Sequence, residues 1–217
     1  ATISRCNVIY VEDIDPYNHP IFENWLLNQA PLLELNEDEV KAIRATYEWL
    51  IRPVSTTLFD RMNTIFPMTL KALALTFTRI MSAKVKELKA NESIKDPKES
   101  VKLMDCLTVE SLIWAVGTSI HPNDKRKFST YFKQLLGGEL LTIRRMRTIS
   151  PQLPAKGSVF DYYFDLASIQ WMQYSDLVLE QESHYFHKNL NPAQIVVPTS
   201  DTVKCDYMVS FHVEYDL

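Results

Sequence analysis

A mainly α fold is predicted for this chain: a helical bundle of five or six helices, short β segments at both ends, and an aromatic connector before the second of them. Three observations carry that reading. Apolar residues recur at helical spacing, as in Leu70, Leu73, Phe77, Ile80 and Leu88, at steps of three and four or their sums. Short runs rich in β-branched and aromatic residues stand near both termini, at 7–11 and 195–197. After Ser150 the texture changes to prolines, Gly157 and a dense set of aromatic residues.

The run at 7–11 (Asn-Val-Ile-Tyr-Val) precedes an acidic loop and reads as a buried strand, whose sheet partners must come from elsewhere. Pro20 opens a short helix through Trp25, Leu26 and Leu27. Asn36, followed three residues later by Glu39, has the form of a capping box, and its helix runs through Val40, Ile43, Tyr47 and Leu50 to Pro53. Proline lacks a backbone donor and crowds the preceding turn, so a break or kink is expected there, with a second segment reaching Phe66. A long amphipathic helix is expected over 68–89, and a polar loop over 90–99. Residues 103–120 include Leu107, Leu112, Ile113, Trp114 and Val116, a helix buried on most of its surface. Residues 123–136 are amphipathic again, and Gly137 and Gly138 supply a C-terminal stop. Pro151, Pro154 and Gly157 punctuate a loop; residues 158–164 then read as a strand edge, with Trp171 and Tyr174 beyond. Ile195, Val196 and Val197 read as a short strand ended by Pro198, after which a helical rhythm resumes.

The bulk properties exclude several classes. Of 217 residues, 46% are hydrophobic and 23% charged, the balance of a folded globular domain rather than a disordered tail. A chain of this size buries roughly 70% of its unfolded surface. The net charge of −4 leaves no basic footprint for nucleic acid, and the clusters Lys125-Arg126-Lys127 and Arg144-Arg145-Arg147 read as solvated helix faces. Cys6, Cys106 and Cys205 are odd in number and far apart, which argues for a reducing compartment and against a disulfide framework. No apolar run approaches the roughly 20 residues of a membrane span. Ala1-Thr2-Ile3-Ser4 is neither a start methionine nor a signal peptide, and reads as the interior of a longer chain.

Four segments, in order, carry a resemblance. Ala1-Thr2-Ile3-Ser4-Arg5-Cys6, with the strand reaching Tyr10, is similar to the segment that ends the large subdomain of the second AAA+ module in dynein heavy chains. Residues 109–117 (Val-Glu-Ser-Leu-Ile-Trp-Ala-Val-Gly) and Lys125-Arg126-Lys127-Phe128 resemble that module's small helical subdomain. Residues 156–162 and the Trp171 region resemble its exit segment, and 195–203 resembles the start of the third module. The likeness spans nearly the whole chain, although Ser-Arg-Cys alone also occurs in clamp loaders. It departs at Asn7, where the family usually has Gly, at Gly117-Thr118, often Gly-Gly, and at Lys204, often Arg, positions that bear on subtype.

The resemblance implies an AAA+ small-subdomain (lid) bundle at 20–150, preceded at 1–19 by the end of a large AAA+ subdomain and followed at 151–217 by a connector and the start of the next module. It implies a non-catalytic part of an ATP-driven microtubule motor, with ATP or ADP and Mg in the parent motor and no cofactor in this chain. Partners are then the neighbouring AAA+ modules, with the microtubule and other dynein chains reached through the parent protein, which also carries a coiled coil. The implied location is cytoskeletal, and residues 159–164 resemble ciliary or flagellar axonemal members. The alternative from another class is a free-standing helical interaction or scaffold domain without nucleotide function.

Arg5 is the candidate catalytic group. The resemblance implies an arginine finger offered in trans to the ATP of the preceding module, where a planar guanidinium can meet γ-phosphate charge bidentately; without the family context it reads as a surface residue. Val196, Val197, Pro198 and Thr199 are implied to line the adenine pocket of the third module, against the plain reading of an edge strand. No Gly-x-x-x-x-Gly-Lys-Ser/Thr loop occurs among the four glycines. Nor does the apolar helix at 103–119 contain the arginine that many AAA+ small subdomains present from this region. His184 and His187 form a His-x-x-His pair without a second ligand pair at zinc spacing, so no metal is expected. Asp161 and Asp165 receive no acid–base role.

Overall fold

The computed structural model describes residues 20–91, 94, 96–140, 143, 145–178 and 197–215. The predicted strand at 7–11 lies outside them, as do Arg5, His184 and His187. The described residues contain α1 Pro20–Asn28, α2 Glu37–Arg61, α3 Leu70–Ala90, α4 Pro97–Gly117, α5 Pro122–Gly137, β1 Tyr162–Asp165, β2 Gln170–Gln173 and α6 Ser200–Glu214, with a further helical stretch at 174–178 directly after β2. The mainly α class and the bundle are as predicted.

The centre of the bundle is α4, packed between α2 and α3. Its residues are buried almost without regard to side, from Leu103, Met104 and Leu107 to Leu112, Ile113 and Val116, as its apolar composition requires. One continuous core joins these residues to Phe22 and Trp25 of α1, Tyr47, Leu50 and Val54 of α2, Phe77 and Met81 of α3, and Phe128 and Phe132 of α5. Phe22, Tyr47 and Phe77 stack or tilt against one another, with Phe22 and Tyr47 centroids 3.8 Å apart.

The helix starts follow the local chemistry. Asn36 Oδ1 accepts from the amides of Asp38 and Glu39, while Glu39 Oε2 accepts from the Asn36 amide at 2.8 Å, completing the predicted capping box. Asp96 caps α4 ahead of Pro97, and His121 caps α5 ahead of Pro122. Gly138 ends α5 in the left-handed region at φ 76°, the conformation a C-terminal glycine supplies without strain.

Several expectations need correction. Pro53 does not break α2, which runs unbroken through it and ends at Arg61 rather than Phe66. One missing donor is tolerated because Leu50, Ile51, Val54 and Leu58 around it are all in the core; Tyr131 separately ties α5 to this turn by donating its hydroxyl to the Pro53 carbonyl at 3.1 Å. The chain after α2 is instead extended. Ile65 donates to Ser119 at 2.7 Å and His121 to Asn63 at 2.8 Å, tying this loop to the α4–α5 turn.

The strand expected over 158–164 begins only at Tyr162. Ser158 and Asp161 form a second capping box that winds Val159–Asp161 into a 3₁₀ turn. β1 then pairs antiparallel with β2, in the register Tyr162 to Gln173 and Asp165 to Gln170. Val197 and Pro198 are not in a strand; they lead into Thr199, whose hydroxyl caps α6 by accepting from the Thr202 amide. Ile195 and Val196 lie outside the described residues. Arg145 and Arg147 are not on a helix face either; Arg147 lies in an irregular stretch and pairs with Asp105 of α4 at 3.0 Å.

Candidate functional site

The most unusual chemistry in the described chain lies where α6 meets the bundle. α6 buries only Val203 and Phe211. Phe211 joins Ile80 and Ala83 of α3, with Trp114 and Tyr215 against them, in a small apolar cluster separate from the main core. Beside it stands Lys84 of α3, 2% exposed. Its Nζ lies 3.3 Å from Glu110 Oε2 of α4 and 3.4 Å from Glu87 Oε2, and donates to the Tyr207 hydroxyl of α6 at 3.1 Å. The same ammonium sits 4.8 Å from the Phe211 ring centre and 5.5 Å from that of Tyr207.

Burial alone lowers a lysine, but the carboxylates of Glu110 and Glu87, with Tyr207, outweigh it and hold Lys84 raised and charged. Glu110, 1% exposed, is pushed up from the usual carboxylate range by burial, while the Lys84 charge pulls it back. Burial likewise pushes the Tyr207 and Tyr174 phenols up, so both stay neutral.

An aromatic wall closes the rest. Tyr163 of β1, Tyr174 just past β2 and Tyr207 of α6 lie with ring centres 5.1 to 5.3 Å apart, and Trp114 meets Tyr174 edge-on. Lys204 of α6 reaches back to Asp161 at 3.5 Å and lies over the Tyr174 ring. The hairpin is itself fastened to the bundle. Lys133 Nζ of α5 donates to the carbonyls of Ala155, Lys156 and Gly157 at 2.8, 3.1 and 2.7 Å. Trp171 Nε1 donates to the Pro151 carbonyl at 3.0 Å. A β-carbon on Gly117 would fall 2.3 Å from Phe160, so α4 and the 3₁₀ turn touch at a place that has no room for a side chain.

Val197 and Thr199 are exposed and Pro198 half-buried, ahead of α6. Arg5 and Val196 fall outside the described residues. Asp161 is used as a cap for Ser158 and partner of Lys204, and Asp165 accepts from the Ser168 amide at 2.8 Å. No group of three or more His, Cys, Asp or Glu side chains among the described residues is placed to hold a metal, and none of the helices searched there is long and apolar enough to cross a membrane. Lys84 and Glu110 are not among the residues that the sequence motifs single out for chemistry. Both left a signal: Lys84 interrupts the apolar stripe between Ile80 and Leu88, and Glu110 lies inside the apolar segment read as a buried helix.

The geometry defines a packing element, a helical bundle with a further helix, α6, seated on it. The sequence model of the dynein heavy chain AAA lid domain matches residues 43–176. The chain belongs to the dynein heavy chain family. It is 22% identical over 236 residues to dynein axonemal heavy chain 3 of Homo sapiens, an alignment covering 100% of this chain and 6% of that protein. To dynein axonemal heavy chain 12 of Mus musculus it is 24% identical over 219 residues, covering 98% and 7%. To dynein axonemal heavy chain 2 of Homo sapiens it is 24% identical over 213 residues, covering 97% and 4%. The chain thus spans less than a tenth of the length of these relatives.

Proposed function

We propose that this chain is the lid and linker of the ATP-driven motor ring of an axonemal dynein, and that it passes nucleotide-dependent motion of one AAA+ module into the next. The observation that carries this reading is the seating of α6 on α3, α4 and the hairpin. If α6 belongs to the following module, its contacts at Lys84, Tyr207 and Phe211 make lid and neighbour a rigid block, so a rotation of the lid displaces the next module with it. On this reading 1–19 closes the preceding large subdomain, 20–150 is the lid, and 151–217 is connector and start of the next module. ATP or ADP and Mg are bound by the parent motor, and this chain holds no complete nucleotide site of its own. Its immediate partners are the flanking AAA+ modules, with the microtubule and other dynein chains engaged through the parent protein in a ciliary or flagellar axoneme.

Two roles at the ends follow from the family resemblance. Arg5 offers its guanidinium to the ATP of the preceding module, and Val196, Val197, Pro198 and Thr199 line the adenine pocket of the next. The exposure of Val197 and Thr199 leaves their side chains available for such a contact.

The test is made in the intact motor. Val203→Asp puts a carboxylate into the buried face of α6 and should leave ATP binding in place while microtubule-stimulated turnover falls. Arg5→Ala should slow hydrolysis in the preceding module by about 10³ to 10⁵ with little change in nucleotide affinity, the range of an arginine finger. Normal stimulated turnover in the first variant would overturn the relay, and normal hydrolysis in the second would overturn the finger.

A further inference from the structure

Two features of the α6 joint pull in opposite directions. Its apolar part is Phe211 with Ile80 and Ala83, flanked by Trp114 and Tyr215, together with the Tyr207 ring against Tyr163 and Tyr174. An apolar contact of this kind is non-directional and tolerates a helix that slides or rotates. The polar part is deep and directional. The Lys84 ammonium, 3% exposed at its side chain, is closed in by Glu110, Glu87, the Tyr207 hydroxyl and the faces of Tyr207 and Phe211. Tyr207 and Phe211 are four residues apart on α6, one turn of the helix, so both rings meet one ammonium in a single rotational setting.

We propose that Lys84 is the registering pin of this joint: Glu110 holds the ammonium from α4, and the ammonium in turn fixes α6 in one register on the lid and makes its release all-or-none. The proposal deepens the relay reading but is a property of the chain itself, so it stands or falls separately. An α6 shifted by one residue would carry Tyr207 and Phe211 about 100° around the helix and leave a buried ammonium without its hydroxyl and rings. Intermediate positions are therefore disfavoured. Without the ammonium, the ring contacts of Phe211 and Tyr207 and the half-exposed Lys204–Asp161 pair hold α6 less firmly in register. Buried ion pairs are costly and an apolar replacement often serves stability equally well, whereas fixing a register is their best-attested use.

The experiment uses the 217-residue chain and the exposed thiol of Cys205 on α6. Cys6→Ser removes a competing site, Cys106 is buried, and Thr130→Cys places a second label on the exposed side of α5. Double electron–electron resonance between the two labels then reads the position of α6, and hydrogen exchange reads its docking. The parent should give one narrow distance distribution. Lys84→Met combined with Glu110→Leu should keep the melting temperature of the bundle near or above the parent value yet broaden the distribution. Tyr207→Phe, which removes one hydroxyl and keeps the ring, should reduce protection across 200–214 by about tenfold, the effect of a hydrogen bond to a charged group. A narrow distribution at the parent distance in the double variant, or unchanged α6 protection in Tyr207→Phe, overturns the proposal. The second variant keeps the test decisive if the first does not fold.

Discussion

Glu39 and Glu110 are equally buried, each 1% exposed, and each pairs with a lysine of α3, yet the two corners are built differently. Glu39 sits where α2, α3 and α4 meet. It accepts from Lys89 at 3.0 and 2.9 Å, from the Asn36 amide at 2.8 Å, and from the Ser100 hydroxyl. Glu110 has the Lys84 charge at 3.3 Å and the backbone amide of Phe164 beside it, but neither meets its oxygens in full hydrogen-bonding geometry. A fully satisfied buried network rigidifies what it joins; a partly satisfied one carries a cost that other contacts must offset. The first corner is permanent structure. The second has the composition of a joint that holds one geometry and can let it go.

Replacing each pair by apolar residues breaks that comparison most sharply. Glu39→Leu with Lys89→Met strands the Ser100 hydroxyl and the Asn36 amide and removes half of the capping box, a loss of about 2–4 kcal/mol. Lys84→Met with Glu110→Leu removes both buried charges at once and leaves only the Tyr207 hydroxyl and the part-exposed Glu87 without the ammonium, so it should change bundle stability by about 1 kcal/mol or less. Denaturant unfolding of the two double variants side by side checks the contrast. Equal losses would mean that the two corners are the same kind of structure.

Gly117→Ala probes the seam between the regions. The added methyl meets Phe160 at 2.3 Å, and Phe160 is itself packed against Phe128 and Trp114, so the ring has little freedom to yield. The expected loss is about 1–3 kcal/mol, read as a lowered melting temperature, with hydrogen exchange rising first in the hairpin. A change below about 0.5 kcal/mol would show that the 3₁₀ turn can move off α4 freely.

The same contrast explains what could be read before the structure. The bundle was legible because its signals are local and repeat. The Asn36/Glu39 capping box, the stripe through Leu73, Phe77 and Ile80, the apolar α4 and the Gly138 stop each act within a few residues. The continuity of α2 is not legible locally: Pro53 is a helix breaker by itself, whereas burial on both sides of it decides the outcome. The hairpin escaped because its turn has no glycine: Ile169 takes φ 55°, a position where glycine would have announced the reversal. The joint escaped for a different reason. Lys84, Glu110 and Tyr207 are spread over more than a hundred residues, and no periodicity in one segment shows that they share a pocket.

The smallest expected effect lies at that glycine-free turn. Asp165 closes it by accepting from Ser168, and its pKa is lowered: partial burial raises it, but the Ser168 side chain and the amides of Ser168 and Ala167 together outweigh burial, with a minor pull from the Lys84 charge. Asp105, inside the bundle, is the opposite case, pushed up by burial against the Thr46 hydroxyl and Arg147. The signs differ accordingly. For Asp165 the folded pKa lies below the unfolded value of about 3.9, so its contribution is complete above that value and is lost as pH falls through the folded pKa. For Asp105 the native state holds its proton more tightly, so stability falls as pH rises from the unfolded value towards the raised folded one. An acid titration followed through the Ser168 amide resonance should show a midpoint below the ordinary carboxylate range. Asp165→Asn should abolish that transition while leaving the hairpin folded at neutral pH, because an amide oxygen can still accept the bond. A Ser168 midpoint at or above the ordinary aspartate value would mean that Asp165 does not hold the turn in solution.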